Sequence, residues 1–196
     1  PASRCIDPVS AATLTVKFAT PVAAAASSVE LSSNGLSACF LGTAQAAAKS
    51  DVAVALGNDS FYYFEATRSQ LAGVALGISA SAETVPPTGG FVPRADTLVV
   101  SGEELLTTDA AGALVSNPAG SGSVFGFAVD LRSGYPVVSV IAPASVKPSA
   151  CTGLAGSAPC VVLRWQSAAP AAALSIYAWG SGDGTNGPRV SINTGS

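Results

Sequence analysis

Twelve acidic side chains, nine cationic ones and no histidine define the chemistry open to this chain of 196 residues. Asp130 draws attention first, because it interrupts the apolar stretch SVFGFAVDLRSGYPVVSV (123–140). A carboxylate there is either an active-site group or part of a turn. Leu131, Arg132, Ser133 and Gly134 follow it, and turn N–H groups are natural donors to its oxygens. We therefore read Asp130 as structural. Histidine-based triads are excluded outright. Lys17, Lys49 and Lys147 have no serine three residues before them, so no S-x-x-K site exists. Glycoside hydrolysis needs two carboxylates across one bond. Glu103 and Glu104 are adjacent and would point to opposite faces of a strand, and no E-x-D-x-x-E pattern appears. GDGTNG (182–187) has one carboxylate and no later acid at calcium-loop spacing, so it reads as a Gly-rich turn. We expect no enzyme activity, no metal and no cofactor.

Four cysteines remain: Cys5, Cys39, Cys151 and Cys160. There is no C-x-x-C pair, and no histidine to complete a zinc site. Three disulfide pairings are formally possible. Cys151 and Cys160 enclose TGLAGSAP, which suits a local clip, and Cys5 to Cys39 follows by elimination. Disulfides would place the chain in an oxidising compartment, secreted or at a cell surface. Four buried free thiols are the alternative.

Aromatic residues near loops are the remaining candidates for ligand contact. Trp179 stands at the mouth of a Gly-rich loop that also holds Asp183. Tyr135 sits at a hairpin tip, and Phe91 lies beside Arg94 in a Pro/Gly loop. An aromatic beside a charged group holds a sugar face or a peptide. Tyr63 and Phe64 read as core residues.

The elements that would position these groups are short strands. Hydrophobic residues make up 48% of the chain and charged residues 11%, about half the usual share. No apolar run reaches the ~18 residues of a spanning helix, so no direct membrane insertion is expected. The cationic residues are scattered, which argues against nucleic acid as a partner. TLTVKF (13–18), SVELSS (28–33), DSFYYFEATRS (59–69), LAGVALGIS (71–79), DTLVVSG (96–102), GALVSN (112–117), SVFGFAVDL (123–131), PVVSVIA (136–142), CVVLRWQS (160–167) and ALSIYAWG (173–180) all read as strands. In CVVLRWQS, Leu163 and Trp165 alternate with Arg164 and Gln166, so the first pair should face inward. AQAAAKSDVAVAL (44–56) lacks a capped amphipathic stripe and is given at most one helical turn, or a strand through DVAVAL. Segments 80–96 and 180–189 read as long surface loops. The prediction is an all-β, two-sheet antiparallel sandwich with at most one or two short helical turns, forming one domain over 1–196.

The order of motifs resembles the SPRY (B30.2-like) domain, in its bacterial version. GSVFGFAVDLRSG (122–134) is similar to that family's glycine-led apolar strand ending in an aspartate and a turn. SSVELSSNGLSA (27–38) is similar to its opening segment, SFYYFEAT (60–67) to its aromatic strand, AGVALGIS (72–79) to the strand after it, and ALSIYAWG (173–180) to its closing strand. The likeness covers about residues 25–180, with 1–24 as an extra N-terminal strand and 181–196 as a C-terminal loop and strand. Ser123 departs from the aspartate common there, 143–160 is a Cys-bounded insertion, and VVSVIAPAS replaces the usual F-x-x-N-G strand.

The resemblance implies a concanavalin-like sandwich that recognises glycan or protein through inter-strand loops. The expected function is a non-catalytic extracellular module of an adhesin, pilus tip or fibre-associated protein, part of a larger surface protein or assembly. A structural spacer or assembly domain is the alternative, and a polysaccharide hydrolase the third. The alanine-rich usage gives a bacterial impression.

Overall fold

The computed structural model describes residues 18–21, 29–50, 61–70, 73–80, 96–109, 111–119, 122–142, 160–168, 170, 174–184 and 187–193. Among these there are fourteen strands and no helix. The first sheet runs β1 (Phe18–Pro21), β4 (Ala46–Ser50), β13 (Ser175–Gly180), β6 (Val74–Ser79), β7 (Thr97–Ser101), β8 (Glu104–Thr108) and β9 (Leu114–Pro118). The second runs β12 (Cys160–Gln166), β11 (Val137–Ala142), β10 (Val124–Asp130), β5 (Phe61–Arg68), β14 (Arg189–Asn193), β3 (Ser37–Phe40) and β2 (Val29–Leu31). Every neighbouring pair is antiparallel. The expected two-sheet sandwich is the observed one.

Alternation in the sequence becomes the two faces of each strand. In β10, Phe125, Phe127 and Val129 enter the core, while Gly126, Ala128 and Asp130 face outward. Phe127 lies directly opposite Phe64 of β5, and their rings stack at 5.0 Å and 12°. Trp165 is buried with Leu163 packed beside it, and Arg164 and Gln166 are exposed, as the period of two predicts. The β10–β11 hairpin forms with Asp130 opposite Val137. Asn34-Gly35, a dipeptide favoured in hairpin turns, forms the β2–β3 turn, with Gly35 at φ 71°.

Three local readings change. The alanines of AQAAAKS form β4 rather than a helical turn: Ala46 and Ala48 enter the core and Ala47 joins an outer cluster. Burial on both faces outweighs alanine's helix propensity. DVAVAL lies outside the described residues. Tyr63, read as core, is instead 48% exposed on the outer face of the second sheet. Trp179, placed at a loop mouth, is 3% exposed. It stacks on Tyr177 at 5.7 Å and 17°, on the outer face of the first sheet with Ala47 and Val99. Small cross-strand partners, Ala47 and Ala75, and Gly77 on β6 leave room for its ring.

Gly77 has no slack. A Cβ there would stand 2.7 Å from Cη2 and Cζ3 of Trp179 and 3.1 Å from the Leu98 carbonyl oxygen. Overpacking of this kind costs about 1–3 kcal/mol. Gly77→Ala should lower the unfolding free energy by that amount, read in urea as a lower midpoint at unchanged slope, and an unchanged midpoint would contradict the seating of Trp179.

Candidate functional site

Strand polarity sorts the loops into two ends. The ends of β3, β5, β7, β9 and β13 and the starts of β4, β6, β8, β10 and β14 meet at one end. The close contacts there are Phe40 N–H to the Pro188 carbonyl at 3.0 Å, Ser181 N–H to Gly73 at 3.1 Å, and Arg68 N–H to Ser123 at 2.7 Å. The other end holds the β10–β11 tip, the β2–β3 turn and the base of segment 80–96, closed by Ala80 N–H to Asp96 at 2.9 Å.

The candidate ligand residues are therefore divided. Trp179 and Asp183 belong to the first end. Tyr135 belongs to the second, exposed in a turn where Ser133 Oγ donates to its carbonyl at 2.8 Å. Phe91 and Arg94 lie outside the described residues, and so do Cys5 and Cys151. Cys39 is a free thiol, so the Cys5–Cys39 bridge expected by elimination is not formed. β3 sends Ala38 and Phe40 inward and turns Cys39 outward, between Glu30 and Arg189 on the neighbouring strands. Cys160 is buried and disulfide-bonded.

At the first end a cleft of about 310 Å³ opens beside the first sheet. Gln45, Ser101 and Ser181 supply its polar side chains. Gly73 and Gly102 bring backbone to its wall, and Val74, Ala75 and the buried Trp179 form its apolar side. The described lining carries no ionisable side chain. The volume is at the lower bound of small-ligand sites.

The walls are tied down by backbone. The Gly-rich 180–188 segment is bonded to the β3–β4 connection, with Gly182 N–H on the Gly42 carbonyl at 2.7 Å and Gly184 N–H on Leu41 at 2.8 Å. A Cβ at Gly187 would overlap the Phe40 carbonyl. These glycines permit close approach of two backbones. Asp183 is exposed on the same segment, two residues past Ser181.

Beneath the cleft, Arg68 closes the gap between the sheets. It is 1% exposed. Its Nη2 donates to the carbonyls of Gly102 at 2.9 Å and Gly122 at 3.3 Å, and the guanidinium lies over Phe125 at 5.1 Å. Nε and Nη1 are buried without hydrogen-bond partners among the described residues. Desolvation pushes its pKa below the ordinary arginine value. By holding Gly102, this side chain from the second sheet fixes part of the cleft wall on the first.

Sequence reasoning did not find Gln45, Ser101 or Ser181. Each is a single polar residue at a strand junction, and only the pairing of β4, β13, β6 and β7 brings them together.

No protein-family model matches the chain, and no curated protein matches it by sequence. Solved structures do. The PSpry domain of TRIM65 superposes with a TM-score of 0.57 at 16% identity, covering 90% of this chain and 88% of that one. The SPRY domain of human HERC1 gives 0.53 at 11% identity, covering 85% and 92%. A legume lectin-like domain from Entamoeba histolytica gives 0.47 at 9% identity, covering 86% and 87%. The fold is that of SPRY domains, a concanavalin-like sandwich.

Asp130 is settled by its contacts. Its Oδ1 accepts the Arg132 backbone N–H at 3.0 Å and Nε at 2.9 Å, and Oδ2 accepts Nη2 at 2.6 Å. The side-chain bonds from Arg132 hold its pKa below the usual value, against a smaller desolvation. A lowered folded-state pKa stabilises above the unfolded pKa of ~3.9, and that gain is lost as pH falls through the lowered value. Both side chains are substantially solvated, so the pair contributes at most about 1 kcal/mol. Asp130→Asn should cost no more than that at pH 7 in urea unfolding, and the difference should close as the wild type is acidified. A penalty unchanged at low pH would contradict this role.

Proposed function

We propose that the chain is a non-catalytic recognition module working outside the cell, in an adhesin, pilus-tip or fibre-associated protein that forms part of a larger surface assembly. Its ligand is a neutral glycan held by the inter-strand loops at the Trp179 end. The cleft carries this reading. Serine hydroxyls and a glutamine amide both donate and accept, which suits sugar hydroxyls. A described lining without charge suits an uncharged ligand. The SPRY-type fold supports recognition over catalysis, and the disulfide at Cys160 supports an oxidising compartment.

A second reading, assembly through a sheet edge, has one observation in its favour. β9 is the last strand of its sheet, and Leu114 at its start is 60% exposed. Unpaired edges recruit further strands.

A glycan array tests the first reading. Trp179→Ala is a poor probe, because emptying so buried a site costs about 3–5 kcal/mol by itself. Ser101→Trp fills the cleft from a half-buried position. The wild type should give a discrete set of hits, and Ser101→Trp should lose them at least ~10-fold, about 1.4 kcal/mol, with its thermal midpoint retained. Hits that survive Ser101→Trp would remove the cleft as the site. A blank array with concentration-dependent association by light scattering would favour the edge instead.

A further inference from the structure

The outer face of the second sheet holds an arrangement remote from the cleft. Tyr63 and Glu65 both point outward from β5. Gly126 of β10 lies opposite Glu65, and the Tyr63 side chain leans across it. A Cβ on Gly126 would stand 2.6 Å from the phenol oxygen and 3.0 Å from Cε2, so the ring tip occupies the space that any other residue would fill. The phenol donates to Glu65 Oε1 at 3.1 Å. Desolvation and the bond to Glu65 hold its pKa above the ordinary tyrosine value, so it stays a donor. A glycine floor and a carboxylate tether thus fix the ring while about half of the residue remains in solvent.

The charges around this ring are not balanced. Asp130 is neutralised by Arg132. Glu65 has no ion-pair partner among the described residues. Arg164 is in register with Tyr63 through Ser139 and Ala128, three strand spacings away, or about 14 Å. Among the described residues, the positions flanking Tyr63 and Glu65 on the neighbouring strands are Ala128, Gly126 and Asn193, none of them cationic. The ring therefore combines an exposed π face with an adjacent unneutralised carboxylate, on a chain of net charge −3. An aromatic face attracts a cation through its quadrupole, and a carboxylate at the ring edge adds directional hydrogen bonding.

We infer that Tyr63 and Glu65 form a docking point for a cationic side chain, arginine or lysine, of a protein partner. The guanidinium or ammonium lies on the open face of the Tyr63 ring and bonds the Glu65 carboxylate. The site is on the flat of the sheet, outside the loop cleft, and does not depend on glycan recognition there.

The test is an NMR titration of the whole chain with N-acetyl-arginine amide, following the Tyr63 ring resonances and, in every variant, the backbone amides of Glu65 and Gly126 that border the ring. A saturable shift in the millimolar range is expected, weakened roughly 5-fold or more by the isosteric Glu65→Gln and by added salt. It should be absent in Tyr63→Leu and unchanged in Ser101→Trp. Thermal midpoints of the Glu65→Gln and Tyr63→Leu variants close to wild type exclude misfolding as the cause. No saturable shift would overturn the proposal. So would a shift indifferent to Glu65→Gln, or tighter saturation by methyl α-glucoside than by the guanidinium.

Discussion

Burial of alternate residues from two facing sheets into one apolar core is the constraint from which the other features follow. It fixes which side of each strand is available to solvent, and it orders the strand ends into two groups of loops. The stacked pair Phe64 and Phe127 lies within it. Once these residues face inward, Tyr63, Glu65 and Gly126 must face outward on the same strands. The first sheet adds a second buried layer, because Tyr177 and Trp179 are sequestered on its outer face as well. Sandwich packing needs close side-chain fit, and here glycine and alanine supply the room.

Much of the architecture was legible in the residues. Period-two alternation marked β10, β11 and β12, and Asn34-Gly35 marked a hairpin turn. The strand order was not legible, because long-range pairing leaves no local trace. Trp179 and Tyr63 show the same limit. Loop proximity suggested that the tryptophan was exposed, and aromatic neighbours suggested that Tyr63 was core. Both outcomes depend on residues distant in sequence: Gly77 and Ala47 make space for Trp179, and Gly126 seats Tyr63. One signal was available, since Tyr63 is in phase with the charged Glu65 and out of phase with Phe64. The cleft residues Gln45, Ser101 and Ser181 carried no comparable mark.

The structure thus separates two kinds of surface. At the loop end, backbone ties between segments 41–42 and 180–188, together with the buried Arg68, hold a small uncharged cleft. On the open sheet, a single aromatic ring beside a carboxylate faces solvent. The buried guanidinium is costly to keep, since two of its nitrogens lack partners among the described residues. Its position between the sheets ties the β7–β8 turn, which carries Gly102 of the cleft wall, to the β9–β10 connection.

Tyrosine on the sheet, and not tryptophan at the loops, presents the aromatic surface to solvent. Photo-CIDNP measures this directly, because only side chains reached by the dye are polarised. Strong signals are expected from Tyr63 and Tyr135 and none from Trp165 or Trp179. A polarised Trp179 with a silent Tyr63 would contradict it.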